Sequence, residues 1–275
     1  RELMAGALRL SETMAPQLHA RAAEAARRLG VSAPIEIYQA DGPENAALHL
    51  LETPVVLEAQ GRLLSLLDEG SSLALFGHEL GHFLMHGPRS EQARLRVELL
   101  HVLRRREAPE PVLAELRALS MASELTADRF ALLACRDLSA FLRLEMISTT
   151  GLSATSLTWD TQAYLAQCQE LIGQMLEAGD VSRGVTHPEH SVRAYAAWLF
   201  SETREYRALT GSGPGTRSLA EVDGELTRIL RRPFDEDVVD IYEAVPDEVY
   251  GCALAAAVLV ANTDGTISES EVQAI

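Results

Sequence analysis

A chain of 275 residues with 47% hydrophobic and 23% charged side chains has enough apolar material for a sizeable core, which excludes wholesale disorder. All 24 basic residues are arginine and the formal net charge is −16; so acidic a chain repels phosphate backbones, which argues against a nucleic-acid partner. Aromatics make up only 5%, so the core falls to Leu, Ala and Val, and that favours helices.

The longest apolar run, near 252–261, is about half of what a bilayer-spanning helix needs, so no membrane span is expected. Cys135, Cys168 and Cys252 are widely spaced and odd in number, which is neither a disulfide framework nor a zinc-thiolate pattern. A reducing, cytoplasmic setting is the simplest expectation. The chain opens at Arg1 and stops at Ile275 in mid-pattern, as a trimmed piece would, which leaves export or anchoring open. Residues 218–275 carry 13 acidic side chains against three arginines. That imbalance suggests a main domain over 1–210, a linker at 211–217 and an acidic helical accessory segment over 218–275.

In chain order, the first thirty residues read as a helix, with Leu18, Ala22, Ala25 and Leu29 at helical spacing and Gly30 closing it. Pro34 introduces a strand at 35–38, Asp41-Gly42-Pro43 is a turn, and two further strands are expected at 46–51 and 54–59. Ser71 or Ser72 can cap a helix running to His86, which Gly87-Pro88 ends. A charged helix is expected over about 90–107 and a long one over about 111–144, interrupted near Ser120 or Asp137. Another follows over about 161–177. Thr186-His187-Pro188-Glu189 reads as a capping box that opens a helix through Phe200, and Gly211-Ser212-Gly213-Pro214-Gly215 is the clearest linker.

The chemistry lies in His78-Glu79-Leu80-Gly81-His82. Residues four apart share one helix face, so both imidazoles can point at one ion. Zinc takes four ligands, one left to water in catalytic sites, and Glu79 would stand beside the metal as a proton acceptor. The pentapeptide alone also fits a helix with two ordinary histidines, so a third ligand decides. Met85 and Pro88 stand where the metzincin pattern has its Gly and His, which excludes that class. Glu124 and Asp128, four apart on a second helix, fit the gluzincin arrangement, with Glu124 as ligand and Asp128 orienting an imidazole from behind.

With these motifs in place, residues 17–200 resemble the gluzincin peptidases typified by the CAAX prenyl endopeptidase and the bacterial protease HtpX. The likeness covers a helix-Gly-Val-x-x-Pro-strand opening at 21–38, Asn45-Ala46 with the strand at 54–59, the E-x-x-A-D signature at Glu124–Asp128, and HPxxxxR at His187–Arg193. It implies an α+β, mainly helical zincin-type fold with a small sheet beside the active-site helix, and one zinc ion per chain. It implies His78, His82 and Glu124 as ligands, Glu79 as general base, His187 as a donor to the developing oxyanion and Arg193 as a brace. An edge strand, either 54–59 or 46–51, would bind extended substrate by main-chain pairing. The transmembrane helices of the membrane members have no counterpart here, so a soluble peptide or protein substrate is expected. Residues 90–118 suggest a lid or a surface hairpin.

Other residues draw plainer readings. His86 suits the helix C-terminus as a cation. His190 reads as exposed, His49 matters only if it faces the cleft, Tyr195 and Trp198 read as core, and Cys135 as a small buried hydrophobe. Residues 262–271 resemble half an EF-hand loop, but Val260 at the first ligand position cannot bind calcium. Residues 250–275 look more like the start of a TerB-like helical domain. The expected function is soluble zinc-dependent endopeptidase, with the acidic C-terminal segment in a regulatory role. The rivals are a catalytically silent metallopeptidase fold that binds a protein partner, and a protease held latent by one of its own ends.

Overall fold

The computed structural model describes residues 6–49, 53–87, 110–156, 158–180, 182 and 187–230, with the backbone alone for 110–116. The fold is α+β and mainly helical, with one four-stranded sheet. Strands β1 (Ala7–Leu10), β2 (Ile35–Ala40), β3 (Asn45–His49) and β4 (Val55–Gln60) lie in the order β1-β2-β4-β3. The β2–β4 pair is parallel, with Ile37 opposite Leu57, and both outer strands run antiparallel to their neighbours. Of the two candidate edge strands, β3 is therefore the edge and β4 lies inside the sheet.

Helices α1 (Pro16–Leu29), α2 (Leu63–Leu66), α3 (Glu69–His86), α4 (Glu110–Cys135), α5 (Leu138–Thr150), α6 (Thr161–Ala178), α7 (His190–Ser201), α8 (Arg204–Thr210) and α9 (Leu219–Leu230) complete the described residues. One face of the sheet buries Ile37, Val55 and Leu57 against Ala22 and Ala25 of α1 and Phe76 and Leu80 of α3. The opposite side of α3 packs on α4 and α5 through Leu75, Leu132, Phe141 and Leu144. α3 is thus sandwiched between the sheet and the helical layer, which removes water from both of its flanks.

Several expectations need correction. Residues 7–10 form a strand, not the start of a helix, because they pair with β2 and lodge Leu10 on the sheet core. The helix begins at Pro16, where proline's fixed φ and missing N–H cost nothing, and it ends as expected at Gly30, whose φ of 69° is left-handed. α3 starts earlier than Ser71: Asp68 is its N-cap, its carboxylate accepting from the Ser71 N–H at 2.8 Å while the Ser71 hydroxyl accepts from the Asp68 N–H at 3.0 Å. The break in the long helix falls at Asp137, which caps α5 by accepting from the Ser139 N–H at 2.8 Å, and α4 runs through Ser120 without interruption. α7 starts at His190 after Pro188, with Glu189 at the N-cap making no capping bond. Thr186 and the expected helix over 90–107 lie outside the described residues.

Of the segment assigned to the acidic accessory region, residues 219–230 form α9. Its Val222, Leu226 and Ile229 pack with Met121, Ile172 and Val192 in one cluster, so beyond the mostly exposed 211–217 the chain rejoins the same core. The EF-hand-like and TerB-like stretches and Cys252 lie outside the described residues. Cys135 and Cys168 are buried free thiols, and burial pushes the Cys135 thiol up to about 12. Tyr195 and Trp198 pack at the edge of the α9 cluster. No helix of the described residues is long and apolar enough to cross a membrane.

Asp68 also receives a hydrogen bond from Arg143 Nε at 2.9 Å. Burial pushes its carboxyl up, but the Ser71 bonds and the Arg143 charge win and hold it below the ordinary value. A depressed folded pKa contributes stability above the unfolded value of about 4 and loses it as pH falls further. Asp68→Ala should lower stability by about 1–2 kcal/mol near neutral pH. In denaturant titrations the gap to wild type should shrink on acidification below about pH 4.

Candidate metal centre

The site is set by how closely α3 and α4 approach. A Cβ added at Gly77 would lie 2.5 Å from Ala134 Cβ and 2.8 Å from Ala131 Cα, and one at Gly81 would lie 2.9 Å from Phe130 Cβ. Two glycines one turn apart therefore let the helices touch backbone to backbone. On the adjoining face of α3, His78 and His82 project towards Glu124 of α4.

The three side chains converge. His78 Nε2 and His82 Nε2 lie 3.1 Å apart, and Glu124 places one carboxylate oxygen 3.5 Å from the first and the other 3.6 Å from the second. This group can hold a metal ion. Donors at about 2.0–2.1 Å from a tetrahedral ion would lie about 3.3 Å from one another, close to the spacing observed. Glu124 Oε2 is buried and makes no hydrogen bond, which is the state of an oxygen facing a cation.

Behind the donors, His78 Nδ1–H donates to Asp128 Oδ1 at 2.9 Å, which fixes the tautomer and turns Nε2 towards the centre. Arg193 donates to both Asp128 oxygens, from Nη2 at 2.6 Å and from Nε at 2.9 Å. Burial works against the His78 imidazolium, but the Asp128 and Glu124 carboxylates outweigh it and raise its pKa to about 10. Burial likewise opposes the Glu124 and Asp128 carboxylates, yet the histidines beside Glu124 and Arg193 beside Asp128 hold both below the usual range. Glu79, Glu124, Asp128 and Glu145 are all buried, and the Arg193 guanidinium meets Asp128 and Glu145. A divalent cation would balance that excess of negative charge.

The site opens into a cleft of about 800 Å³ whose walls include Asn45–Leu48 of β3 on one side and Ile147–Gly151 on the other. Glu79 lines it, and among the described residues its carboxylate makes no hydrogen bond or ion pair. His187 reaches it with a largely exposed side chain, its Nε2 3.6 Å from Glu124 Oε2. All seven residues singled out from the motifs thus meet at one place.

Three other residues, His86, His190 and Glu145, behave differently from expectation or escaped it, while His49 takes no part in the cleft. His86 Nε2 bonds Ser123 Oγ at 2.9 Å, and burial pushes its pKa down, so it is no helix-end cation. His49 pairs with Glu58 at 2.8 Å, away from the cleft. His190 is not simply exposed: its Nδ1 donates to Glu145 Oε2 at 2.7 Å, and Glu145 is fully buried. Glu145 had a signal in the sequence, as a lone carboxylate on the helix face that also carries Phe141, Leu144 and Ile147.

In an exposed helix Gly→Ala gains about 1 kcal/mol of propensity, whereas overpacking a close contact costs about 1–3 kcal/mol. At Gly77 the obstacles include backbone, so the second effect wins. Gly77→Ala should lower the thermal midpoint of the metal-free protein and also weaken metal binding in a titration, because α4 must back away from His78.

The chain matches no family model, no curated protein and no solved structure, so its function has to be argued from this geometry.

Proposed function

We propose that the chain is a zinc-dependent endopeptidase of the gluzincin type, acting on protein or peptide substrates. The observation that carries this reading is the pairing of three donors at tetrahedral spacing with Glu79 next to them, facing an open cleft. Two imidazoles and one carboxylate suit zinc, and leave a fourth position open. Bound there, zinc would polarise a carbonyl and lower the pKa of a water molecule towards neutrality.

The chain's own residues would do the rest. Glu79 takes the proton from the attacking water at its carboxylate and later delivers it to the leaving amine. His187, largely exposed yet close to Glu124, donates to the oxygen on which charge develops. Asp128 keeps His78 Nε2 aimed at the ion, and Arg193 keeps Asp128 in place. β3 is the sheet edge on the cleft, so an extended peptide can pair with its main chain while its side chains alternate between cleft and solvent.

Glu79→Gln should keep zinc at the wild-type level and lower peptide cleavage by about a hundredfold or more. Undiminished cleavage would sink the mechanism. A wild type that binds zinc yet cleaves no casein or mixed peptides would favour the silent, partner-binding reading instead.

A further inference from the structure

Glu145 is a fully buried carboxylate outside the ligand set, and the catalytic scheme above does not use it. Its Oε2 accepts from His190 Nδ1 at 2.7 Å. Its Oε1 is buried without a hydrogen bond and lies 3.4 Å from Arg193 Nη2. That same Nη2 is 2.6 Å from Asp128 Oδ1, the oxygen that also accepts from His78. Four helices meet in this chain of contacts: Glu145 on α5, His190 and Arg193 on α7, Asp128 on α4 and His78 on α3.

We propose that Glu145 is a positioning residue of the metal centre, which, held by His190, draws the Arg193 guanidinium towards α5 and so sets how much of the Asp128 charge is left for His78. The electrostatics give the sign. Arg193 and His78 compete for Asp128 Oδ1. With a second carboxylate on its other side, the guanidinium divides its attraction, and Asp128 keeps more negative charge for the His78 Nδ1–H. A more strongly polarised Nδ1–H makes Nε2 a better donor to a metal ion. Without the Glu145 charge, Arg193 leans wholly on Asp128, and His78 becomes the weaker ligand.

The arrangement is costly as a stabilising device. An apolar side chain at the same place would spare the desolvation of a carboxylate whose Oε1 goes unbonded. A purely structural role would therefore not select it. His190 is at the cleft end of the network, its side chain 37% exposed. It keeps Glu145 oriented while leaving Nε2 without a bond to the described residues.

The inference rests on the metal-binding reading and is tested without reference to cleavage. Zinc affinity by competition with a chelator, the visible spectrum of the cobalt-substituted protein and the thermal midpoint of the metal-free protein would be measured for wild type, Glu145→Gln and Glu145→Leu. Both variants should keep or raise the metal-free midpoint, bind zinc about tenfold more weakly and shift the cobalt bands. Wild-type affinity and spectrum in both variants would overturn the proposal, as would weaker binding accompanied by a lowered midpoint. A wild type that binds zinc but cleaves nothing would count against the peptidase reading alone, while one that binds no zinc would overturn both.

Discussion

The contact between α3 and α4 at Gly77 and Gly81 is the constraint on which the rest of the site depends. A ligand set drawn from two helices needs their axes close enough for a glutamate, with two side-chain carbons before its carboxylate, to meet two imidazoles. Only residues without a Cβ permit that approach where Ala131, Ala134 and Phe130 press against α3. The small side chains along α4 and the glycines of α3 therefore shape the metal centre, although none belongs to the ligand set. The sheet core on one flank of α3 and the α5 layer on the other keep the helix from yielding.

Closeness alone would make an unstable centre, because it gathers several carboxylates in one buried place. The arrangement offsets this in two ways. Arg193 meets Asp128 through two hydrogen bonds and has Glu145 on its other side, so one guanidinium serves two carboxylates. The remainder, Glu124 and Glu79, faces the histidines and the cleft, where a divalent ion would supply positive charge. Removing Arg193 would leave two buried carboxylates without their counter-charge, at a cost of about 3–5 kcal/mol, more than a surface pair is worth.

The sequence spoke most clearly where a local period carried the information. His78 and His82, and Glu124 and Asp128, lie four apart on helices, so each pair could be placed on one face from local spacing alone, whereas His187 and Arg193 were marked only by the resemblance of HPxxxxR to the family motif. Strands β2 to β4 were legible for the same reason, from alternation bounded by Pro and Gly. Residues 7–10 were not, because their apolar pattern is short and only pairing with β2 makes them a strand. Gly77 and Gly81 carried no signal in the sequence, since a glycine's value as a gap appears only once its neighbour is in place. Glu145 was hidden in an apolar stretch, where its meaning depends on a histidine and an arginine from another helix. The choice between β3 and β4 as edge likewise needed the strand order, which is not a local property.

The most direct test of the central claim is X-ray absorption at the zinc edge on the purified, zinc-loaded protein, with its metal content measured alongside. The account predicts one zinc per chain, bound by two imidazole nitrogens and carboxylate oxygen at about 2.0–2.2 Å, with no sulfur ligand. Zinc far below one per chain, or a coordination shell lacking two imidazoles, would contradict it.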